Sequence, residues 1–254
     1  MTGLTDYFQH MSPSNINGFI SWRSKWYLER IAQAKLPFGP EGHRGSAVEH
    51  GVTFGLIQGA PLADCHALAL KDFDDLTKDL DVDDSAECRG PIPAMVTALI
   101  DALKPFGKVT STQRRVERTY DAIPGLKWLG YADVIFEDKL CVDIKTKGRT
   151  PSELPSDWGR QGVFYRDCLQ MPVKFVCAIP LKGGVKIVQF DLENHDGYRN
   201  EMIEATKAMD RLLSLPKESL ADVFMPSPDD WFLKDPMAFN AAKEVWPMLA
   251  LKAA

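Results

Sequence analysis

The stretch that decides the fold is Lys127–Thr146, KWLGYADVIFEDKLCVDIKT, near the middle of a 254-residue chain. Two runs rich in apolar and β-branched residues, 127–136 and 140–146, flank the polar sequence EDK at 137–139. Two such runs on either side of a short polar turn predict a β-hairpin.

Periodic patterns divide the chain into three parts, in which 1–105 is mainly helical, 106–215 is an α/β core and 216–254 is a C-terminal wrap. The predicted fold class is α/β (α+β), a mixed central β-sheet flanked by helices, in a single domain spanning 1–254. The predicted helices run from Ser12 to Pro37, from Gly42 or Gly45 to Gln58, and over 61–80, 91–103, 157–169 and 198–213, and the predicted strands cover 113–121, 127–136, 140–146, 173–179 and 185–191.

The composition is that of an ordinary globular protein, with 45% hydrophobic and 26% charged residues. The sequence has no apolar run long enough for a membrane span, and its N-terminus lacks the layout of a signal peptide. Its five cysteines are odd in number and form no C-x-x-C pair, which argues against a disulfide framework and a zinc site. We therefore expect a cytoplasmic protein with reduced thiols and no membrane partner.

The net charge of −5 is unevenly distributed. Nine acidic side chains and two lysines between Asp64 and Glu87 give that segment a net charge of −7, so the rest of the chain carries about +2. Because the negative charge is confined to one segment, the overall acidity does not exclude an anionic substrate.

Acidic and basic side chains alternate with apolar ones in the second strand of the hairpin. Strand geometry places Asp143 and Lys145 on one face and the apolar Val142 and Ile144 on the other, with Asp133 within reach across the hairpin. Two carboxylates suit a hard cation such as Mg²⁺ that also binds a substrate phosphate, and a lysine beside them can orient or deprotonate the water or neutralise developing charge. The pattern indicates phosphodiester hydrolysis, although a solvated strand face with a weak ion pair is the simpler alternative.

Several motifs occur in the order typical of one nuclease superfamily. Together they resemble the PD-(D/E)XK superfamily and, within it, the RecB-like exonuclease branch that includes the CRISPR-adaptation nucleases. Segments 12–27 and 44–50 are similar to the opening helix and the first catalytic helix of that branch. The three core motifs are Gly130-x-x-Asp133, Asp143-x-Lys145 and Gln161-x-x-x-Tyr165.

The resemblance implies a restriction-endonuclease-like core with a site for Mg²⁺ or Mn²⁺. Asp133 and Asp143 would bind the metal with the Ile144 carbonyl, and Lys145 would be the catalytic lysine. Gly45 is followed at the fourth position by Glu49, where many members carry histidine, and His50 comes one residue later. Neighbouring helical residues point about 100° apart, so both cannot easily face one metal. We favour Glu49 as the metal-binding and catalytic residue of this helix, with His50 as the alternative.

Four residues are candidates for substrate binding, the first two through the same resemblance and the last two through their position after the catalytic strand. Gln161 and Tyr165 lie one helical turn apart and would orient the site or the nucleic-acid strand, unless they belong to an ordinary amphipathic helix. Lys147 and Arg149 follow the catalytic strand and would contact phosphate, unless they lie in a solvated loop. No iron–sulfur cluster is expected, because the early and late cysteines of cluster-bearing members are absent. No nucleotide cofactor is expected either, since the sequence has no phosphate-binding loop.

The favoured function is that of a metal-dependent DNA exonuclease in recombination, end processing or repair. An endonuclease with the same core and a non-catalytic nucleic-acid-binding module are the alternatives, and the choice between DNA and RNA stays open. The expected partner is the end of linear DNA, single- or double-stranded, and a recombination protein, a single-strand-binding protein and a second copy of the chain remain candidates. The acidic segment 64–87 would lie away from the site or mimic DNA at its entrance.

Overall fold

A computed structural model describes residues 3–36, 38–80, 82–122 and 124–252, without the side chains of 82–84 and 250–252. Its strands are β1 (His10–Met11), β2 (Val109–Thr119), β3 (Lys127–Phe136), β4 (Leu140–Thr146), β5 (Val173–Leu181) and β6 (Gly184–Asp191). Its helices are α1 (Leu4–Tyr7), α2 (Pro13–Ser21), α3 (Arg23–Arg30), α4 (Pro40–Gln58), α5 (Leu62–Thr77), α6 (Val82–Arg89), α7 (Ile92–Leu103), α8 (Ser156–Leu169), α9 (His195–Leu213), α10 (Lys217–Val223) and α11 (Pro236–Val245).

The strands form one six-stranded mixed sheet in the order β1-β3-β4-β5-β6, with β2 also paired to β3. The pairs β3–β4 and β5–β6 are antiparallel, whereas β4 and β5 are parallel. A parallel pair needs a long crossover, and helix α8 supplies it here. The predicted fold, a mixed sheet flanked by helices, is confirmed.

The hairpin that the sequence predicts is formed by β3 and β4. Phe136 pairs with Leu140, and the N–H of Lys139 donates to the carbonyl of Phe136 at 2.9 Å. Glu137 and Asp138 both have left-handed backbone angles, with φ of 53° and 52°. Two positive φ values in succession define the turn that matches the twist of a tight hairpin.

The N-terminal helix differs from its prediction, because it breaks at Trp22 into α2 and α3. Trp22 adopts φ −148° and ψ 69°, and its N–H still bonds the carbonyl of Gly18 at 2.8 Å. The indole N–H of Trp26 donates to the side-chain oxygen of Asn15. This buried bond links the two short helices, a tertiary contact that helix periodicity does not reveal.

The sequence analysis also did not predict helix α1, the two-residue strand β1 or helix α6. β1 pairs with the start of β3 in parallel, with His10 opposite Lys127. Helix α6 lies in the acidic segment 64–87, in which Asp81 and the side chains of Asp83 and Asp84 fall outside the described residues.

The chain contains two compact units, and each has its own core. The first comprises the described parts of 1–37, 117–130 and 196–254. In it Tyr27 stacks on Phe224 with ring centres 4.9 Å apart. The second comprises 38–116 and 131–195. The prediction of a single domain stays a prediction.

The core of the second unit lies between one face of the sheet and helices α4, α5 and α7. Val142 and Ile144 of β4 join it, as strand alternation predicts. Within this core Gly51 of α4 packs so closely that an added Cβ would lie 2.8 Å from the Cys65 carbonyl and 2.9 Å from the Cβ of Ala69. Of the helices in the described residues, none is long and apolar enough to cross a membrane.

This packing predicts that Gly51→Ala destabilises the protein by about 1–2 kcal/mol. Overpacking costs about 1–3 kcal/mol, and the better helix propensity of alanine recovers only about 1 kcal/mol. Urea unfolding followed by circular dichroism measures the difference. Gly183→Ala is the control, because a Cβ there meets no atom within 4 Å. Equal stability of wild type and Gly51→Ala would contradict the close packing of α4.

Candidate active site

The register of the β3–β4 hairpin places Asp133 and Asp143 opposite each other. The paired residues run from the turn as far as Val134 opposite Val142, so the next opposed positions are Asp133 and Asp143. There the Asp133 Oδ2 accepts a hydrogen bond of 2.9 Å from the N–H of Ile144. The Asp133 carboxylate thus binds the backbone of β4 just beyond the paired residues Val134 and Val142.

Asp143 and Lys145 form an ion pair on the face of β4 that looks away from the α4–α5–α7 core. The Lys145 Nζ lies 2.6 Å from Asp143 Oδ2, and the Asp143 side chain is fully buried. Neither Asp143 oxygen has a partner in full hydrogen-bond geometry among the residues that the structure describes, so Lys145 compensates this carboxylate as an ion pair. A buried carboxylate without donors is costly, and its oxygens would suit a cation.

Helix α8 contributes two further side chains to this ion pair. The Lys145 Nζ donates to Gln161 Oε1 at 2.9 Å, and Gln161 Nε2 donates to the Tyr165 hydroxyl oxygen at 2.8 Å. Burial raises the pKa of Tyr165, so that its hydroxyl stays protonated. Of the i, i+4 pair predicted from the sequence, Gln161 therefore contacts Lys145 and restricts the direction of its ammonium, and Tyr165 in turn holds Gln161.

Helix α4 brings Glu49 to the same place. The approach is close, since a Cβ on Gly45 would lie 3.2 Å from the Thr146 Oγ1 at the end of β4. Glu49 follows one helical turn later, whereas His50 points to α5 and bonds Asp72 with 57% of its side chain exposed. The structure thus groups Glu49 with the two aspartates and places His50 outside their cluster.

Gln113 of β2 also belongs to the site, although sequence reasoning did not identify it. Its Nε2 donates to Glu49 Oε1 and lies 3.5 Å from Asp133 Oδ1. A single glutamine in a strand carries no motif. Only the pairing of β2 with β3 and the approach of α4 bring Gln113 to the carboxylates.

The two basic residues after β4 occupy a different position. The Lys147 Nζ lies 5.7 Å above the ring of Trp158, and Arg149 is exposed in the loop that follows the strand. Neither has a hydrogen bond or ion pair to the site carboxylates in the described part of the chain. Their predicted contact with phosphate stays a prediction.

The three carboxyl groups of the site all have raised pKa values. Burial and the charge of Asp143 raise the pKa of Glu49 to about 7. Burial and the neighbouring carboxylates raise the pKa of Asp133 well above its usual value. Burial also raises the pKa of Asp143, although Lys145 opposes this shift. Burial alone would lower the pKa of Lys145, but the surrounding carboxylates outweigh it and raise that pKa.

A hard divalent cation fits these residues by chemistry, since Glu49, Asp133 and Asp143 offer oxygen ligands. The Ile144 carbonyl faces the same side of β4 as its N–H, which bonds Asp133. Within the described residues, however, no three acidic, histidine or cysteine side chains are already arranged around one ion position. Hydrogen bonds and the Lys145 ion pair hold the carboxylates instead.

The raised pKa of Glu49 predicts a pH-dependent stability of the metal-free protein. A carboxyl group whose pKa is raised on folding favours the folded state at low pH, and this contribution is lost as pH rises from about 4.5 to about 7. We expect Glu49→Gln to gain stability relative to wild type at pH 8 but not at pH 4, by at most about 3 kcal/mol.

Urea unfolding in the presence of a chelator at the two pH values measures this difference. The control is the same substitution at Glu244, which is exposed. The same effect of Glu49→Gln at both pH values would show that this carboxyl group is not strained by its surroundings.

Comparison with known proteins gives a structural match without a sequence match. No family model matches the chain, and no curated relative does. The solved structure of a candidate exonuclease from Eubacterium rectale matches 82% of this chain and 83% of its own, with 13% identity and a TM-score of 0.52. The structure of the protein SSO0001 covers 74% of this chain and 84% of its own at 14% identity, with a TM-score of 0.35. The chain has a nuclease-like α/β fold.

Proposed function

We propose that this protein is a metal-dependent DNA exonuclease of the RecB-like branch of the PD-(D/E)XK superfamily, acting in recombination, end processing or repair. The observation that carries the proposal is the fully buried Asp143, whose carboxylate lies 2.6 Å from the Lys145 ammonium and has no partner in full hydrogen-bond geometry among the described residues. A purely structural sheet has little reason to bury a carboxylate in this state. The nuclease-like fold supports the same function.

The proposed cofactor is Mg²⁺ or Mn²⁺, held by Glu49, Asp133, Asp143 and the Ile144 carbonyl. When bound, such an ion activates water and stabilises the charge that develops on a phosphodiester. It would also offset the mutual repulsion of the three carboxylates, which together exceed the single positive charge of Lys145.

In this proposal Lys145 supplies positive charge to the reacting phosphate. Its raised pKa keeps Nζ protonated, so that Nζ donates hydrogen bonds instead of removing a proton. Asp143 and Gln161 restrict the direction of the ammonium, which is the preorganisation that stabilises a transition state. Lys147 and Arg149 would contact flanking phosphates of the strand.

DNA is proposed as the substrate in the intracellular compartment. All five cysteines are free thiols, which fits a reducing environment. An exonuclease and an endonuclease would hydrolyse the phosphodiester in the same way. They differ in whether the enzyme needs a free end of the DNA.

We predict that Asp143→Asn and Lys145→Ala each lower Mg²⁺-dependent DNA hydrolysis at least about 100-fold, the loss typical for one preorganised electrostatic group. Hydrolysis of linear DNA labelled at either end, followed on gels, measures the rate and the polarity. Lys174→Ala is the matched control, because Lys174 forms an ion pair with Asp191 on the neighbouring strands β5 and β6. Variants with wild-type rates and unchanged circular dichroism would rule out this site.

A second prediction concerns the substrate end. An exonuclease degrades linear DNA and leaves covalently closed circles intact, because hydrolysis must start at a terminus. Incubating both forms with Mg²⁺ and the wild-type protein separates the two readings. Cutting of closed circles at the rate of linear DNA would replace the exonuclease proposal by an endonuclease.

A further inference from the structure

The strained residue in the sheet is Gln113, in the interior of β2 (Val109–Thr119). Its φ of 46° is left-handed, a conformation uncommon for residues other than glycine. Inside a strand, such a residue bends the chain and redirects its side chain, as at a β-bulge. Backbone strain of this kind persists where the surrounding structure demands it, often at functional sites.

The redirected side chain reaches two carboxylates on different elements. Gln113 Nε2 donates to Glu49 Oε1 on α4 and lies 3.5 Å from Asp133 Oδ1 on β3. An amide nitrogen carries two hydrogens, so one Nε2 can face both carboxylates. Glu49 and Asp133 carry like charges when both are ionised, so they repel each other at this distance from one amide. A shared donor between them offsets part of this repulsion.

We propose that Gln113 is a positioning residue that keeps Glu49 and Asp133 directed toward a common cation, an inference that rests on the proposed metal-dependent function. The amide suits this role because it is neutral. A lysine at the same place would compete with the cation by its charge, and a carboxylate would add to the repulsion. Partners that orient metal ligands typically change metal affinity 10- to 100-fold when they are removed.

The strain and the donor can be separated by two variants. Gln113→Met keeps a side chain of similar length and the strained backbone but lacks the donor. Gln113→Gly lacks the donor and also relieves the strain, since glycine tolerates a positive φ. If donation to the carboxylates is what matters, both variants lose function, while Gln113→Gly is at least as stable as Gln113→Met.

The experiment is titration of the metal-free protein with Mn²⁺, followed by calorimetry and by the electron paramagnetic resonance signal of free Mn²⁺. We expect both variants to bind Mn²⁺ at least about tenfold more weakly than wild type. At saturating Mn²⁺, KM for linear DNA should remain unchanged. Gln189→Met, on the exposed side of β6, is the matched control and should bind Mn²⁺ as wild type does.

The other results separate a failure of the Gln113 inference from a failure of the proposed nuclease function. Unchanged affinity in both variants would show that the donor is dispensable, and a loss in Gln113→Met alone would show that strain matters instead. Tighter binding would mean that the amide competes for the place of the cation. If wild type degrades DNA while both variants bind Mn²⁺ equally well, only the role of Gln113 fails. If wild type binds no Mn²⁺, both proposals fail. If the variants bind Mn²⁺ more weakly but wild type hydrolyses no DNA, the role of Gln113 stands and only the nuclease function is overturned.

Discussion

The ion pair between Asp143 and Lys145 is the interaction on which the site depends. Asp143 is fully buried, and its partner ammonium lies at 2.6 Å on the same face of one strand. Breaking a buried pair typically costs about 3–5 kcal/mol, because an uncompensated charge stays inside the protein. Gln161 of α8 accepts a hydrogen bond from the same ammonium. A shift in the register of β4 would therefore break the contact of Lys145 with α8.

The site gives up stability to concentrate negative charge. Burial raises the pKa of Glu49, Asp133 and Asp143, and the charge of Asp143 raises the pKa of the other two further. Lys145 neutralises only part of the negative charge. The left-handed backbone at Gln113 is a second local cost next to the same carboxylates. These unfavourable features lie together at the place where the proposed cation would bind, as is typical of functional sites.

The residues that the sequence predicted best are those whose spacing is local. Asp143 and Lys145 share a face because strand side chains alternate, and Gln161 and Tyr165 share one because helix side chains recur after four residues. Asp133 lies beside Asp143 because a short turn connects strands β3 and β4. By contrast, periodicity left the choice between Glu49 and His50 open, since neighbouring helix positions differ only by their direction in space.

The sequence by itself determined the hairpin, the mixed α/β class and the acid–acid–lysine face, because these follow from periods of two and four residues along a continuous chain. Only the tertiary structure decided that α4 turns Glu49 to the site and His50 to Asp72. It also decided that β2 brings Gln113 into contact with Glu49. Both outcomes depend on contacts between residues 64 or 22 positions apart. No local pattern encodes such contacts, since they arise from how whole elements pack.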